Sequence, residues 1–177
     1  MQTIHPIQLP NHALEHLRTL QPGEELLVVL PVKPPLTFVE PAICQFGDGH
    51  SGVGWYFANE DYPEEGSLFR ECPYVPGDVL VMREPVHQSV SYNGILKDDG
   101  MVEHRLPITR VECKQARGLT EGEWRAAGFT PGPFACDVVF NAADMAEVNW
   151  GVTYAHLGPE YAWERVWVWC VWITKGR

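Results

Sequence analysis

The chain has little positive charge. Its 177 residues hold 13 Lys and Arg against 23 Asp and Glu, which gives a formal net charge of -10 at pH 7. The deficit lies in residues 1–100, where 5 basic side chains stand against 14 acidic ones. Affinity for nucleic acid depends mainly on Lys and Arg that neutralise phosphates. The composition therefore argues against a general nucleic-acid binder unless the cations gather on one face.

Several sequence signals are also missing. No run of 18 apolar residues occurs, and the first ten residues lack the basic segment and apolar stretch of a secretion signal. The five cysteines are odd in number and show no C-x-x-C spacing, which favours a reducing compartment. His12 and His16 share a helix face, but no third metal ligand is evident. We therefore expect a soluble cytoplasmic protein without a membrane partner, metal or cofactor.

Apolar and aromatic side chains are plentiful enough for one packed domain over residues 1–177. Hydrophobic residues make up 45% of the chain, and seven of them are Trp. Helical spacing predicts three helices, at residues 11–20, 120–127 and 141–150. Asn11, a capping box of Thr120 with Glu123, and Asn141 are the predicted amino-terminal caps. Apolar or alternating runs predict five strands, at residues 25–30, 55–57, 79–83, 105–114 and 166–173. Residues 37–70 are expected to form a long surface excursion with only the strand at 55–57.

Glycine-rich turns separate these elements. Residues 47–52 match G-x-G-x-x-G, but they lead into a strand, whereas a dinucleotide-binding motif must open a helix. We interpret this stretch as a loop. Residues 92–94 and 98–100 are turn signals around a predicted hairpin. Gly77 is expected to supply an unusual backbone angle, and Asp78 to cap the same turn.

The segment Cys72–Pro85, with its Pro-Gly-Asp turn and a strand that ends in Arg-Glu, resembles the signature of ASCH domains, which are PUA-like β-barrel proteins of phages and prophages. Three further blocks agree in order, at residues 54–57, 119–128 and 166–171. The resemblance implies an α+β fold, a mixed β-barrel of about five to seven strands with two or three short helices. It also implies a prophage or phage origin in a bacterial host cell.

The resemblance implies that the catalytic residues of the family's enzymes are replaced. Amidohydrolase relatives use a Lys, a Thr and a Glu, and the aligned positions here are Glu25, Val28 and Ala127. A valine side chain cannot serve as a nucleophile. The paired basic residues of the same run become Val29 and Leu30. We interpret the chain as non-catalytic, with a nucleotide or single-stranded nucleic acid as the ligand of the barrel's cleft.

Four residues are candidates for ligand contact: Arg83, Glu84, Tyr74 and Trp124. Arg83 either projects into the cleft to hold a base or phosphate or forms a structural ion pair with Glu84 or another acid. Trp124 is expected to be exposed because its neighbours on a short helix are polar. The aromatic residues between 154 and 172 offer stacking faces for bases, although core packing is the stronger interpretation for most of them.

Two other functions stay open. The acidic segment at residues 59–65 favours an interaction module that docks on a basic host or defence protein. An enzyme of altered chemistry would need a new constellation, such as Glu25 with His87 or Glu84. Arg110, Glu112 and Lys114 alternate along one predicted strand, which indicates a laddered solvent face more than a nucleic-acid track.

The replaced positions predict that the chain lacks the amidohydrolase reaction of its ASCH relatives. Purified protein incubated with N4-acetylcytidine should release no acetate above a boiled control, because Val28 and Ala127 supply neither nucleophile nor base. Turnover well above that control would contradict the alignment.

Overall fold

The computed structural model describes residues 3–32, 37–45, 51–58, 67–85, 101–134 and 138–175. The strands are β1 (Ile4–Pro6), β2 (Glu25–Pro31), β3 (Thr37–Gln45), β4 (Ser51–Ala58), β5 (Ser67–Glu71), β6 (Val79–Pro85), β7 (Met101–Gln115), β8 (Gly132–Phe134), β9 (Val138–Phe140) and β10 (Trp167–Thr174). The α-helices are α1 (Asn11–Thr19), α2 (Glu121–Ala126) and α3 (Ala142–Tyr154). Short 3-10 turns follow β7 and α3.

Five strands form the main sheet in the order β1-β6-β7-β10-β2. The β1–β6 pair is parallel and the other pairs are antiparallel, so the sheet is mixed. The expected α+β class is confirmed. Over the described residues the sheet does not close into the expected barrel, because β1 and β2 remain as its two edges.

Strand β10 lies inside the sheet and is buried on both faces. Trp169, Val171 and Ile173 pack on one side with buried residues of α1 and β6, while Val168 and Cys170 pack on the other with α2 and α3. A strand that is covered on both faces has a continuous apolar sequence, as residues 166–173 do. The sequence prediction for this strand is confirmed.

The excursion at residues 37–70 contains more strand than expected. β3, β4 and β5 form a separate three-stranded antiparallel sheet, so the prediction of one short strand was wrong. Pro41 lies within β3 and Gly52 and Gly54 within β4, and both residue types weaken a strand signal. A register shift between Phe38 and Glu40 further interrupts the alternation. The turn signals at residues 92–100 lie outside the described residues.

Side chains cap the amino-terminal ends of α2 and α3, as predicted. Thr120 and Glu123 form a reciprocal capping box at the start of α2. At α3, the Asp144 backbone N–H donates to Asn141 Oδ1 at 2.9 Å, and the Asn141 N–H donates to Asp144 in return. The third prediction was wrong: Pro10 precedes α1 as its cap residue, and Asn11 already belongs to the helix.

The signature turn anchors the edge strand β1. Gly77 has φ of 97°, as the Pro-Gly-Asp turn predicts. Asp78, however, does not cap its own turn through its side chain. Its carboxylate accepts from the Thr3 backbone N–H at 2.9 Å and lies 3.0 Å from His5 Nε2. These two contacts fasten β1 to the start of β6, which the local sequence could not show because 73 residues separate His5 from Asp78.

Asp78→Asn is expected to loosen β1 and to lower the free energy of unfolding by about 1–3 kcal/mol, the range for hydrogen bonds to a charged group. Hydrogen exchange should accelerate at the amides of Val79 and Ile7, which bond across the β1–β6 pair. Glu147→Gln, which removes an exposed charge from α3, is the control.

The wild type should also lose this contribution in acid. Partial burial raises the pKa of Asp78, but the hydrogen bonds from His5 and Thr3 outweigh it and hold the pKa below its ordinary value of 3.8. A carboxyl whose folded pKa is depressed stabilises the fold above its unfolded pKa, and this stability disappears as the pH falls through the folded value. Urea midpoints of the wild type and Asp78→Asn should therefore approach each other progressively as the pH is lowered below about 4.

Candidate functional site

Strand β2 has a free edge within the described part of the chain. The Val32 N–H donates to the Trp167 carbonyl, and the Lys175 N–H donates to the Glu24 carbonyl. The even-numbered residues of this strand therefore bond to β10. Because hydrogen-bonding direction alternates along an antiparallel pair, Leu27 and Val29 direct their N–H and C=O groups away from β10. No described residue forms a hydrogen bond to these groups.

A pocket of about 40 Å³, the inner pocket, lies at this edge between β2 and the three helices. Its walls include Leu27 and Val29 and the rings of Trp124, Phe129 and Trp150. The aromatic walls support one another. Trp124 meets Phe129 edge to face, with centroids 5.6 Å apart and planes 83° apart. The geometry is that of a preformed aromatic slot against a strand edge.

The inner pocket is electrically neutral. His12 lines it and stacks against Phe129 with ring centroids 4.1 Å apart. Burial lowers the pKa of His12 to about 4, so the imidazole is uncharged at neutral pH. Asn149 and Thr153 add uncharged polar groups to the lining. No Lys, Arg, Asp or Glu of the described chain lines this pocket, which therefore suits an uncharged group.

A second, larger concavity adjoins the first at Tyr154, which lines both. This outer cleft has a volume of about 450 Å³ and is lined by Tyr74, Tyr154, Trp169, Glu71, Pro73, Leu30 and Pro31. The Tyr74 ring contacts His5 at a centroid distance of 5.3 Å, and the Tyr154 ring contacts Trp150 at 4.3 Å. Burial raises the pKa of both phenols, so they stay neutral. Tyr74, one of the candidate ligand contacts, thus lines the outer cleft.

Arg83 lies in a different part of the molecule. It lines an open cleft of about 600 Å³ with residues of β1 and β7, and Tyr74 is not among them. In the sheet, Arg83 of β6 lies opposite Glu103 of β7. Trp169, which lines the outer cleft, lies opposite Cys113 of β7, ten residues further along that strand.

The contacts of Arg83 fit the structural ion pair considered from the sequence. Its Nε lies 3.4 Å from Glu103 Oε2, and Arg105 Nε lies 3.1 Å from the other carboxylate oxygen. The hydrogen bond from Arg105 is the main cause of the lowered pKa of Glu103, and the one from Arg83 adds to it. The partner is thus Glu103, across the β6–β7 pair. The side chain of Glu84 lies outside the described residues.

Trp124 is buried, contrary to the sequence prediction. Only 2% of its surface is exposed, and its ring stacks on Trp163 with centroids 5.2 Å apart. Arg125 of the same helix is exposed and Glu121 is partly exposed, and Glu123 bonds to Lys114 of β7, while position 124 turns toward the core. Trp124 still reaches the candidate site, since it forms part of the inner wall of the pocket.

Two of the three positions at which the ASCH resemblance would place catalytic residues meet at the inner pocket. Val28 and Ala127 both line it, although they belong to β2 and to the end of α2. Glu25 stands apart at the start of β2, where it accepts a hydrogen bond from Thr109 Oγ1 at 2.8 Å. The outward backbone groups of Leu27 and Val29 could not be predicted from the sequence, because strand order alone decides which edge is open.

The charged ladder predicted on β7 is confirmed. Glu112 lies 3.1 Å from Lys114 and 3.8 Å from Arg110, and Lys114 also bonds to Glu123 of α2. The Arg110 guanidinium sits 4.5 Å from the centre of the Trp172 ring. These cations are paired with acids, which is how a solvated face is stabilised.

Metal-binding and membrane-spanning features are absent from the described residues. No cluster of His, Cys, Asp and Glu there has the grouping of a metal site, and no helix there is long and apolar enough to cross a membrane. Cys72, Cys113 and Cys170 are free thiols, and burial raises the pKa of Cys72 and Cys170 to about 12. Comparison with protein-family models, curated proteins and solved structures finds no match for this chain.

Gly128 is expected to be required where α1 meets the end of α2. Its φ is +95°, and a Cβ there would lie 2.6 Å from the His12 carbonyl oxygen. Gly23 is a matched control, because its φ is +91° and a Cβ added there would meet no atom within 4 Å. Gly23→Ala should cost about 1–2 kcal/mol from backbone strain alone.

Gly128→Ala should lower the free energy of unfolding by at least about 1 kcal/mol more than Gly23→Ala does. Both variants place an alanine at positive φ, but at position 128 the added Cβ also clashes with His12, so that α1 must move away. Urea unfolding of both variants measures the difference. Equal losses of unfolding free energy in the two variants would show that the close approach of α1 to Gly128 adds no cost to the substitution.

Proposed function

We propose that this chain is a non-catalytic binding protein that recognises a nucleobase, presented by a nucleotide or a single-stranded nucleic acid, in the inner pocket. The observation that carries the proposal is the free edge of β2, where backbone donors and acceptors open onto an aromatic slot. The resemblance to ASCH domains supports the same ligand class.

Hydrogen bonding gives the pocket its selectivity for a planar polar ring. Leu27 is fully buried, and Val29 is half-buried, so their outward N–H and C=O groups have little access to water. A buried backbone group without a partner costs free energy comparable to a lost hydrogen bond. A base edge carries a donor beside an acceptor, as a peptide does, and satisfies both kinds of group at once.

Stacking and size define how the ligand enters. Aromatic side chains stack on bases with little regard to sequence, at about 1–3 kcal/mol per base. A pocket of about 40 Å³ takes one edge of a ring and excludes the sugar and phosphate. Those groups therefore lie outside, on the side of Tyr154, where the outer cleft begins.

The chemistry of the walls supports binding without bond cleavage. Val28 and Ala127 stand where the resemblance places a nucleophile and a proton-transfer group, and their hydrocarbon side chains can do neither. The same substitutions leave the pocket less polar, which strengthens hydrogen bonds made inside it.

Phosphate contacts contribute little to the proposed complex. Among described residues, neither cavity is lined by Lys or Arg, and Arg83 lies in a separate cleft. Counterion release scales with the number of phosphates neutralised by cations. The affinity should accordingly change little between low and physiological salt.

Filling the inner pocket should abolish base binding. Ala127→Leu adds three carbon atoms to a wall of a 40 Å³ space, which leaves no room for a ring edge. Titration of the wild type with nucleosides, nucleotides and short single-stranded RNA and DNA, followed by tryptophan fluorescence, should show saturable binding. Ala127→Leu should weaken it at least tenfold, which corresponds to about 1.4 kcal/mol.

Two controls accompany that titration. Ala143→Leu enlarges an α3 side chain that does not line the pocket, and Arg83→Ala removes the cation that the sequence predicts as a contact; both should bind as the wild type does. Thermal melting verifies that each variant is folded. Absence of saturable binding by the folded wild type, or a loss confined to Arg83→Ala, would overturn the proposal.

A further inference from the structure

The mouth of the inner pocket differs in polarity from its interior. The lining residues that are buried are apolar or aromatic, among them Leu27, Val28 and Ala127. Asn149 and Thr153 line the same pocket and are exposed. A lining side chain that solvent still reaches lies at the opening of a pocket. The opening therefore carries an amide and a hydroxyl group above an apolar interior.

Asn149 and Thr153 meet one helical turn apart on α3, since residues i and i+4 are neighbours on a helix surface. The Thr153 hydroxyl donates to Asn149 Oδ1 at 3.4 Å, which brings the polar ends of the two side chains together. Among the described residues, neither side chain has another hydrogen-bond partner. The Asn149 Nδ2 group thus keeps two N–H donors, and the Thr153 oxygen keeps its lone pairs as acceptors.

We propose that Asn149 and Thr153 recognise the 2′-hydroxyl of a ribose, so that the ligand of this chain is a ribonucleotide or single-stranded RNA and not its deoxy counterpart. This inference rests on the proposed nucleobase site and names the sugar that accompanies the base. A hydroxyl group both donates and accepts hydrogen bonds. The pair supplies both partners, with Asn149 as the donor and Thr153 as the acceptor.

The position of the pair matches the order of groups in a nucleotide. The base edge occupies the interior of the pocket, and the sugar follows at the mouth. The 2′-hydroxyl is attached to the sugar carbon next to the glycosidic carbon, so it is the hydroxyl nearest to the base. In a single strand the 3′-oxygen is esterified, whereas the 2′-hydroxyl stays free to donate and accept. A polar pair at the mouth therefore meets the 2′-hydroxyl first.

Charge favours a sugar over a phosphate at this position. Within the described ranges, no Lys or Arg lines the inner pocket, and proteins hold phosphates largely through such cations. A hydroxyl is neutral and needs only the uncharged donor and acceptor that α3 offers. The hydrogen bond between Thr153 and Asn149 is long, so a ligand hydroxyl can replace it at small cost.

Exposure limits the size of the preference for ribose. Exposed polar side chains are hydrated in the free protein, and both Asn149 and Thr153 are exposed. A ligand hydroxyl therefore exchanges with water, and the gain is the net value of one hydrogen bond, about two- to tenfold in affinity. A fully buried pair would reject a deoxy ligand much more strongly, because its polar groups would be left unpaired.

Ribonucleosides and their 2′-deoxy counterparts with the same base test the sugar preference. Titration of the wild-type protein with each pair, followed by tryptophan fluorescence, should give an affinity for the ribonucleoside about threefold or more above that for the deoxynucleoside. Short single-stranded RNA and DNA of one sequence without uracil or thymine should show the same order. Equal affinity for ribo and deoxy ligands would overturn the inference and leave the nucleobase proposal standing.

Two variants at exposed positions assign the preference to this pair. Thr153→Val keeps the shape of the side chain without its hydroxyl, and Asn149→Leu removes the amide. In each variant the ratio of ribo to deoxy affinity should fall toward one. Thr19→Val is the matched control, because this exposed helical threonine donates to the His16 carbonyl at 2.7 Å and does not line the pocket. It should keep the wild-type ratio, and an unchanged ratio in both pocket variants would contradict the assignment.

The affinity ratio separates this inference from the proposed function. If the folded wild type binds neither ribonucleosides nor deoxynucleosides, the nucleobase site is wrong and the sugar contact is overturned with it. If it binds both equally well, base recognition holds and the role of Asn149 and Thr153 is overturned. Because each ratio is measured on one protein, a general change of stability or pocket shape cancels from it.

Discussion

Burial of β10 on both faces is the constraint on which the rest of the structure depends. Each fully buried Val, Ile or Leu side chain contributes about 1.5–3 kcal/mol, and Val168, Val171 and Ile173 are all at 0% exposure. A strand of this kind needs a neighbouring strand at each edge and a layer on each face. β7 and β2 supply the edges, α1 covers one face, and α2 with α3 covers the other. These elements surround β10, while the first half of β7 extends beyond it to pair with β6.

The open edge of β2 is a consequence of that arrangement. Once β2 has paired with β10, its second edge needs another strand, water or a ligand, because backbone polar groups are seldom left unpaired. The described helices cover the neighbourhood of this edge without bonding to it, since helical backbone groups are already used within the helix. The inner pocket exists where three helices meet a strand edge that none of them can pair. An aromatic lining keeps competing water low, so a ligand with a peptide-like edge has an advantage there.

Local signals in the sequence were enough for part of the fold. The capping box at Thr120 and Glu123 and the apolar run of β10 determine their structure within a few residues, and both were predicted. Proline and glycine within β3 and β4 obscured strands that pairing stabilises. The orientation of Trp124 depended on which face of α2 meets the sheet, and the surroundings of Arg83 depended on strand order. Neither is determined by neighbouring residues.

At the candidate site, too, local sequence determines some features and the arrangement of the strands and helices determines the others. Tyr74, within the signature segment, was among the candidate ligand contacts and lines the outer cleft. The outward donors and acceptors of Leu27 and Val29 could not be predicted, because they are backbone groups and do not depend on side-chain identity. The amino-acid composition predicted the electrostatic character of the candidate site better than it predicted which residues contact one another there. A chain with a formal charge of -10 is ill suited to phosphate, and no Lys or Arg of the described residues lines the inner pocket. The inner pocket is therefore a neutral slot, in which hydrogen bonding to the β2 edge counts for more than charge. Under the proposed function, the base edge enters this slot while the sugar and phosphate stay outside it, so affinity comes from stacking and backbone hydrogen bonds more than from charge.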